Sequence, residues 1–487
     1  MTQPSNNVVQ FRRQETIPDN AIAIANMLVE QEMMTTDGLL TAAMHGDKIV
    51  LWNGSKYVHK EKHYIQSRLI NLTDGKWTER GSKEVPFDLG SGRLSVAIKA
   101  VEKRISEGLD HTKPLPQWRS LDWQNSAYSS PFDDAYILPF ANGIVHLLTG
   151  KQAPCTPAYV NLNCADYVYD PNAGAEEWLR DLSVWFGKDQ AAIDTLQEAF
   201  GLSLVPDFKH EKMLCLIGPS GIGKRLIAMV LTHLTGSENV ASATIQSVGG
   251  NFGFENWEEK SIAIFRDARI SSGKIIDIQS VISMLLSIVS HEPVPLNRKH
   301  KKIIEALFDT HVWYFSNEVP FFADYHLAMA RRYLIIVMRN WLKDGNAPAL
   351  DLDLLPKLLK ELPGILNWAL VGLKRLRERG NFIQPESGIK VLNEIRYKSC
   401  PEQEFIDYYI RYDRSKFTEM EMLRSQYRIW CNRTEHEYKD MNILSRRIQQ
   451  DHPEVEVVKG GGNYVIGYRG FELVNLYLPR DADTSLL

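Results

Sequence analysis

The sequence lacks paired cysteines. Its 487 residues include five cysteines, and none belongs to a C-x-x-C motif. This spacing argues against a structural zinc site and against a disulfide framework, and it fits a reducing compartment. The five are Cys155, Cys164, Cys215, Cys400 and Cys431.

The chain also lacks a long apolar run and an excess of positive charge. It contains no run of about 18 apolar residues, and segment 1–14 has no apolar signal core. We therefore expect a soluble cytoplasmic protein without a membrane partner. The formal net charge of −4 argues against a generally basic nucleic-acid coat, but it leaves local DNA-binding clusters open.

Hydrophobic patterning divides the chain into five regions and predicts an α/β multi-domain protein. Turn-rich segments and changes of periodicity mark the boundaries. The regions are an α+β accessory domain (1–120), a helical leader or collar domain (121–205), a domain built on a mostly parallel sheet (206–345), a helical lid or linker (346–385) and a C-terminal domain (386–487).

Asn-Gly pairs between β-prone runs predict tight hairpins in the first two regions. Asn53-Gly54 is the first pair and Asn142-Gly143 is the second. Region 206–345 differs, because short apolar strands alternate there with helical segments and predict a parallel sheet covered on both faces. Its predicted strands are Met213–Ile217, Ile262–Phe265, Val312–Phe315 and Tyr333–Val337.

The first of these strands runs into a phosphate-loop pattern, Gly-x-x-x-x-Gly-Lys, and a helix from Leu226 to Leu234 follows. Backbone N–H groups and the helix N-terminus would hold phosphate, and Lys224 would reach the β- and γ-phosphates of ATP. A Gly-rich turn that binds nothing is the alternative. The loop consists of Gly218, Pro219, Ser220, Gly221, Ile222, Gly223 and Lys224.

Arg225 departs from this pattern. The residue after the lysine is normally Ser or Thr, whose hydroxyl ligates Mg²⁺, and an arginine cannot replace it. Water fills that metal position, or the metal is held differently. The Arg225 side chain either contacts phosphate itself or faces solvent.

Asp267 follows the strand Ile262–Phe265 and is the candidate Mg²⁺ ligand, because an acid belongs at the carboxyl end of a strand that neighbours the P-loop. An ordinary aspartate capping a turn is the alternative. Arg266 stands where a second acid often orients the attacking water, so the water-activating residue is not evident.

Polar and basic residues frame the last two strands. Asn317 follows Val312–Phe315 and is a candidate sensor of the γ-phosphate. Arg332, with Arg331 as second choice, precedes Tyr333–Val337 and could enter a neighbour's site to stabilise phosphate charge. An Arg-Arg pair alone is usually a surface feature.

A basic run lies between the second and third predicted strands, with apolar residues on both sides that could form hairpin arms. A basic hairpin tip suits the backbone of single-stranded DNA passing through a ring. A solvated charge run is the alternative. The run comprises Arg298, Lys299, His300, Lys301 and Lys302.

Region 386–487 predicts a winged helix from its order of two helices and a β-hairpin. Thr418-x-x-Glu421 has the pattern of a capping box that opens the first helix. The second helix, Asn442–Gln450, would enter the major groove of duplex DNA and present Asn442, Ser445, Arg446 and Gln449 to it, and Lys459 on the wing would meet phosphate. A winged helix used for protein contacts or as a lid is the alternative.

Together these segments resemble the helicase domain of phage and plasmid primase-helicases, in the superfamily-three branch of AAA+ P-loop ATPases. The resemblance covers residues 134–487, and the upstream ILPFANGIVHLLTGK and LQEAFGLSLV resemble that family's phage- or poxvirus-type leader. The matching segments are GPSGIGKRLIAMVLTHLTG, IAIFRDARI, PLNRKHKK, YFSNEVP, ARRYLIIV and ELPGILNWALVGLKRLRERG.

The resemblance implies hexameric rings, ATP hydrolysis between subunits and 3′-to-5′ movement on single-stranded DNA. It makes Lys224 the Walker A lysine, Asp267 the Walker B aspartate, Asn317 the sensor and Arg332 the arginine finger. Lys299 and His300 match the DNA-contacting hairpin. Arg225 and Arg266 depart from the family's pattern, and they bear on the hydrolysis rate more than on nucleotide binding.

The leading hypothesis is therefore an ATP- and Mg²⁺-dependent replicative helicase of a phage or mobile element in a bacterial host. A nucleotide-binding origin initiator with weak or no hydrolysis is the alternative, and a packaging or partition motor fits the motif order less well. Residues 1–130 contain no paired-acid polymerase pattern, so primer synthesis is not predicted and a separate primase or polymerase is the expected protein partner.

Overall fold

The computed structural model describes residues 15–61, 63–110, 115–120, 136–266, 278–299, 301–317, 330–339, 351–460 and 465–476. Asp267 and His300, both predicted site residues, lie outside these ranges. Among the described residues, no helix is both long enough and apolar enough to cross a bilayer.

The N-terminal unit packs three helices around a β-meander, with α1 and α3 in contact over its apolar core. Asn20 caps α1, because its Oδ1 accepts hydrogen bonds from the Ile22 and Ala23 N–H groups at 2.8 and 3.2 Å. The elements are α1 (Ala21–Glu32), β1 (Ala42–His45), β2 (Lys48–Trp52), β3 (Tyr57–His59), α2 (Tyr64–Thr73), β4 (Trp77–Arg80), β5 (Lys83–Pro86) and α3 (Ser91–Ile105).

The hairpin around Asn53-Gly54 forms as predicted, but its turn is longer than the two-residue turn expected. Trp52 pairs with Tyr57, so four residues connect β2 and β3. The Asn53 side chain accepts hydrogen bonds from the Ser55 and Lys56 N–H groups at 3.1 and 3.0 Å. This side-chain turn replaces the primed backbone turn.

The next unit begins with the second predicted hairpin and ends in two helices. Phe140 pairs with Gly143, so Ala141-Asn142 forms the turn. The strand β6 (Gln117–Trp118) pairs across to β10 and links this unit to the N-terminal one. The remaining elements are β7 (Ile137–Phe140), β8 (Gly143–His146), β9 (Lys151–Ala153), β10 (Tyr159–Val160), α4 (Glu176–Phe186) and α5 (Gln190–Leu202).

A five-stranded sheet forms the centre of the molecule in the order β12-β13-β16-β11-β17, and every neighbouring pair is parallel. The predicted parallel sheet is confirmed, with one further strand, β12. The strands and the helices between them are β11 (Met213–Ile217), α6 (Lys224–Thr235), β12 (Val240–Ala243), α7 (Ile245–Val248), β13 (Ile262–Arg266), α8 (Ile278–Val289), β16 (His311–Ser316) and β17 (Tyr333–Val337).

Alternation along β11 separates two cores. Leu214 and Leu216 face one core, which α4, α5 and α6 share, whereas Cys215 faces the other with α7 and α8. Two later helices, α9 (Leu354–Lys360) and α10 (Leu362–Arg379), complete the first core. There Gly201 of α5 permits close packing, because a Cβ at that position would lie 2.4 Å from the Ala369 carbonyl oxygen.

The predicted hairpin between the second and third predicted strands is also present. Its arms are β14 (Val294–Leu296) and β15 (Ile304–Ala306), and Leu296 pairs with Ile304. It therefore lies along the chain between β13 and β16, two adjacent strands of the sheet.

The C-terminal unit contains the two helices and the hairpin expected, and it adds a helix and a strand before them. The helix α11 (Glu386–Ser399) instead packs against β17 of the central sheet. The sheet order is β18-β20-β19. The elements are α12 (Pro401–Tyr409), β18 (Ile410–Glu419), α13 (Met420–Thr434), α14 (Met441–Asp451), β19 (Glu456–Gly460) and β20 (Val465–Leu473).

The predicted capping box at Thr418 is wrong. Thr418 belongs to β18, and its Oγ1 donates a hydrogen bond to the Phe471 carbonyl oxygen at 2.8 Å. The helix α13 begins at Met420, and its N-cap residue Glu419 makes no side-chain capping bond. The Thr418 hydroxyl is therefore used in a hydrogen bond between β18 and β20, and it does not cap the helix as the local sequence pattern predicts.

A buried histidine at the start of β16, His311, is expected to make the free energy of unfolding depend on pH. The His311 ring stacks on Phe208, and its Nε2 lies 2.9 Å from the Val205 carbonyl oxygen. Burial lowers the pKa of His311 to about 4, from an ordinary value of 6.5. The unfolded chain therefore takes up a proton at a higher pH than the folded chain, and the neutral ring stabilises the fold fully only above pH 6.5.

We expect the contribution of His311 to the free energy of unfolding to fall by about 3 kcal/mol as the pH drops from above 6.5 to 4. Urea unfolding of the His311→Gln variant should show a smaller pH dependence than the wild-type chain. His63→Gln, at an exposed position, is the control and should unfold like the wild type. Equal pH dependence of the His311→Gln variant and the wild type would contradict this prediction.

Candidate functional site

The loop after β11 turns sharply and is shaped by its glycines. Gly221 and Gly223 have φ angles of +83° and +108°, which residues with a Cβ rarely adopt. Gly223 also packs against the preceding helix α4, since a Cβ there would lie 2.8 Å from Trp185 Nε1. The fully buried Ile222 anchors the loop, and α6 starts at the next residue but one, Lys224.

The ammonium group of Lys224 lies where the loop meets the end of a neighbouring strand. It donates hydrogen bonds to the carbonyl oxygens of Gly218 and Pro219, both at 2.5 Å. A third bond, of 3.0 Å, goes to Oδ1 of Asn317, directly after β16. The structure thus brings together the predicted Walker A lysine and the predicted sensor, because β11 and β16 are adjacent and parallel.

Of the other residues that the sequence singles out at this edge, the structure describes Ser220, Arg225 and Arg266. Ser220 is exposed in the loop, and Arg225 is exposed at the second residue of α6. The strand β13 ends at Arg266, which is exposed and pairs with Phe315 of β16. The residue after it, Asp267, lies outside the described residues.

Arg332 lies at the opposite end of the sheet. It directly precedes β17, whose first residue, Tyr333, pairs in parallel with Met213 at the start of β11. A five-residue strand spans about 13–17 Å. The structure therefore keeps Arg332 at the amino end of the sheet, away from the Lys224 of the same chain.

The Arg332 guanidinium contacts Ser290 and Glu211. Its Nε and Nη2 donate hydrogen bonds to Ser290 Oγ at 3.1 and 2.8 Å, and Nη2 lies 3.7 Å from a Glu211 carboxylate oxygen. The Arg331 side chain is exposed, and its carbonyl oxygen accepts a hydrogen bond from Lys212. Burial, together with the positive charge of Arg332, lowers the pKa of Lys212.

The basic residues at the tip of the β14–β15 hairpin differ in their exposure to solvent. Lys299 and Lys302 are exposed, and so is the neighbouring Ile303. Arg298 is instead half-buried, 3.8 Å from a carboxylate oxygen of Glu258. His300 lies outside the described residues.

Acidic residues from two other segments contact this tip. The Lys299 backbone N–H donates a hydrogen bond to the Glu255 carboxylate at 3.2 Å. The ammonium group of Lys301 lies 3.4 Å from both carboxylate oxygens of Asp47, and this contact lowers the pKa of Asp47. The predicted DNA-binding residues are thus partly neutralised by the protein itself.

In the C-terminal unit, Arg446 is exposed on α14 and Lys459 is exposed on β19. Two other residues predicted to face DNA make internal contacts. Ser445 Oγ donates a hydrogen bond to the Met441 carbonyl oxygen at 2.7 Å, and Gln449 Nε2 donates one to the Val455 carbonyl oxygen at 3.2 Å. Arg446 therefore remains an exposed basic residue of α14, whereas Ser445 and Gln449 support the fold.

Several residues that shape these sites carry no sequence signal. Trp185 backs the loop glycine from a helix that precedes it by almost forty residues. Ser290, Glu211 and Asp47 each contact a predicted basic residue across the fold. No local pattern marks such residues, because their partners are distant in the sequence.

Comparison with known proteins identifies the fold of this chain. The model of a family of unknown function, DUF5906, matches residues 216–332, from the end of β11 through Arg332. No curated protein matches the chain.

Solved structures of the C-terminal region of NrS-1 are similar over nearly the whole chain. One, the A form of the apo structure, has a TM-score of 0.50 at 12% identity, and the match covers 92% of this chain and 99% of that one. Another, the apo structure of region 305-718, has a TM-score of 0.51 at 14% identity, with 93% and 99% covered. The chain shares the fold of that region.

Proposed function

We propose that the chain is an ATP-dependent DNA helicase that replicates a phage or mobile genetic element and works as a ring. The observation that carries the proposal is the position of the Lys224 ammonium group between the loop carbonyls and Asn317. A phosphate bound at this point would meet the lysine, the sensor and the N-terminus of α6 together.

The topology of the sheet supports a P-loop ATPase of the AAA+ class. The strand β11 lies between β16 and β17, so the chain places later strands on both sides of it. Ligands of open parallel sheets bind outside the carboxyl ends of the strands, at such a switch point. The loop 218–224 lies there.

Mg²⁺ is the cofactor expected with ATP, and Asp267 is the proposed ligand. It follows β13, the neighbour of β16, and β16 leads to Asn317. A metal held there would offset the negative charge of the phosphate oxygens. Arg225 cannot supply the usual hydroxyl ligand, so water would take its place or other residues would hold the metal.

The position of Arg332 supports a ring. Because it lies at the amino end of the sheet, away from Lys224 of its own chain, it would complete a nucleotide site on another copy of the chain. Ser290 and Glu211 hold the guanidinium in place on the donating subunit. The basic hairpin tips of such a ring would contact single-stranded DNA through Lys299 and Lys302.

An origin initiator that uses nucleotide only to assemble is the second candidate. The exposed Arg225 and Arg266 favour it, because they occupy places where a hydroxyl and an acid would promote hydrolysis. Phosphate release, measured with and without single-stranded DNA and paired with particle imaging, distinguishes the two functions. A helicase should show DNA-stimulated release and rings, whereas rings with almost no release would support the initiator and contradict the helicase.

Asp47→Asn is expected to strengthen binding of single-stranded DNA by roughly two- to fivefold at low salt, because it frees the Lys301 ammonium group for phosphate. One additional phosphate contact should also steepen the slope of log K against log salt by about 0.7. Fluorescence anisotropy with a labelled oligonucleotide at several salt concentrations measures both.

Asp74→Asn is the matched control, since it removes the same charge from an exposed position at the end of α2. If both variants bind DNA equally well, the change reflects net charge alone and Lys301 does not contact the DNA.

Arg446→Ala tests duplex DNA binding by the proposed winged helix. We expect duplex affinity to fall roughly three- to tenfold, with a salt slope shallower by about 0.9, because one phosphate or base contact is lost. Lys374→Ala removes an equal charge from the exposed face of α10 and should leave binding unchanged. Equal losses in the two variants would show that α14 does not contact the duplex.

A further inference from the structure

Three metal-ligating side chains from distant segments converge where the N-terminal unit meets the central sheet. His45 Nδ1 lies 3.1 Å from Glu259 Oε1, and His59 Nε2 lies 3.2 Å from Glu259 Oε2. All three ligand atoms lie within 4.8 Å of one another. The two imidazole rings, with centroids 5.6 Å apart, thus face one carboxylate.

The β-meander places both histidines on one face. His45 of β1 pairs with Lys48, and His59 of β3 pairs with Val50. Lys48 and Val50 are two residues apart on the central strand β2, so their side chains point to the same face of the sheet. The two histidines therefore flank β2 diagonally on that face, and their spacing is fixed by the sheet register.

Glu259 reaches them from the other unit through an unusual turn. Its φ angle is +66°, a left-handed conformation that residues other than glycine seldom adopt. The turn follows the short helix Glu255–Trp257, whose Trp257 is fully buried, and precedes β13 by two residues. Strained backbone of this kind persists where the surrounding structure fixes it, often at a ligand site.

We propose that His45, His59 and Glu259 form a site for a divalent transition metal, Zn²⁺ foremost, that joins the N-terminal unit to the unit built on the five-stranded sheet. Two imidazole nitrogens and one carboxylate oxygen are a donor set that Zn²⁺ accepts, with water as the fourth ligand. In a tetrahedral zinc site neighbouring ligand atoms lie about 3.3 Å apart. Each histidine nitrogen lies close to that distance from one oxygen of the carboxylate, His45 from Oε1 and His59 from Oε2.

The hydrogen-bond partners of the proposed histidine ligands set the expected affinity for zinc. A metal-bound histidine usually donates its second ring N–H to a partner, and losing that partner weakens binding about 10- to 100-fold. His59 Nδ1 is buried without a hydrogen-bond partner. We therefore expect a dissociation constant on the order of micromolar, rather than that of a cysteine-rich structural zinc site.

The metal would act close to the basic hairpin. Asp47, two residues after His45, contacts Lys301 at the hairpin tip. Glu258, next to Glu259, contacts Arg298. A metal bound at the site fixes these acidic residues beside the hairpin and holds the N-terminal unit against the turn that leads into β13.

Zinc titration of the full-length, metal-stripped chain tests the site, with isothermal calorimetry and the visible spectrum of bound Co²⁺ as readouts. The wild-type chain should bind one equivalent. Glu259→Gln should bind at least about tenfold more weakly. Because Glu259 is exposed, this substitution leaves the core intact. His59→Gln should lose the same affinity.

Asp47→Asn is the matched control, since it breaks a neighbouring contact between the two units and keeps all three ligands. It should bind zinc like the wild type. Absence of binding by the wild type at 100 times the expected dissociation constant, on the order of 100 µM, overturns the proposal. Equal binding by the Glu259→Gln variant also overturns it.

Hydrogen exchange on the same samples tests the joining of the two units. Zinc should slow exchange of backbone amides in β1, in β3 and in the 258–262 segment together, and only in chains that keep Glu259. Zinc binding without added protection on both sides would show that the metal does not join the two units.

Discussion

Lys224→Ala should reduce ATP hydrolysis and DNA unwinding by about 100- to 1,000-fold. The ammonium group of the side chain meets the loop carbonyls of Gly218 and Pro219 and the amide oxygen of Asn317. Without it, the site loses a positive charge that would balance the charge moving onto the γ-phosphate. Phosphate release and unwinding of a forked duplex measure the loss.

The fold should survive this change, because buried residues further along α6 hold the helix, among them Ile227, Val230 and Leu231. Arg225→Ala is the matched control at the next position. If the exposed Arg225 faces solvent, hydrolysis should stay near the wild-type rate, and a loss comparable to that of Lys224→Ala would assign Arg225 to phosphate. Normal unwinding by the Lys224→Ala variant would refute the helicase mechanism.

Arg332→Ala should lower the rate of hydrolysis about 1,000-fold while nucleotide binding stays close to that of the wild type. An arginine that completes a neighbour's site stabilises charge that develops only as the phosphate transfers, so the loss falls on the rate. Arg331→Ala should have a smaller effect, because Arg331 meets Lys212 through its carbonyl oxygen rather than its side chain. Steady-state hydrolysis and binding of a fluorescent nucleotide separate the two quantities.

Mixing the two inactive variants tests whether Arg332 acts between chains. A ring that contains both Lys224→Ala and Arg332→Ala subunits has some interfaces with an intact lysine on one side and an intact arginine on the other. Hydrolysis should therefore reappear in the mixture, although each variant alone is inactive. If the mixture shows only the sum of the separate rates, Arg332 does not complete a neighbouring site.

Elements with strong local patterns could be predicted from the sequence. The strands β11, β13, β16 and β17 are apolar runs buried on both faces, so composition alone marks them. The loop 218–224 could be predicted because its glycines are the residues that adopt its unusual backbone angles. The β14–β15 hairpin could be predicted because a basic segment separates two apolar arms.

Other elements depend on partners that are distant in the sequence. The strand β12, Val240–Ala243, has only moderate β-propensity and is a strand because β13 pairs with it. Thr418 matches a capping pattern, yet its hydroxyl bonds across the sheet to Phe471. The helix pattern predicts that Ser445 and Gln449 face the groove, but both side chains donate hydrogen bonds to backbone carbonyl oxygens of the same unit.

The sequence by itself determined the residue types of the loop and the order of the strands that carry them, because backbone geometry and burial are encoded locally. Only the tertiary structure decided which of these residues meet. It placed Lys224 beside Asn317 and put Arg332 at the far end of the same sheet, because parallel strands gather their carboxyl ends at one edge. It also brought His45 and His59 to Glu259, two hundred residues beyond His59, because two separately folded surfaces pack together there.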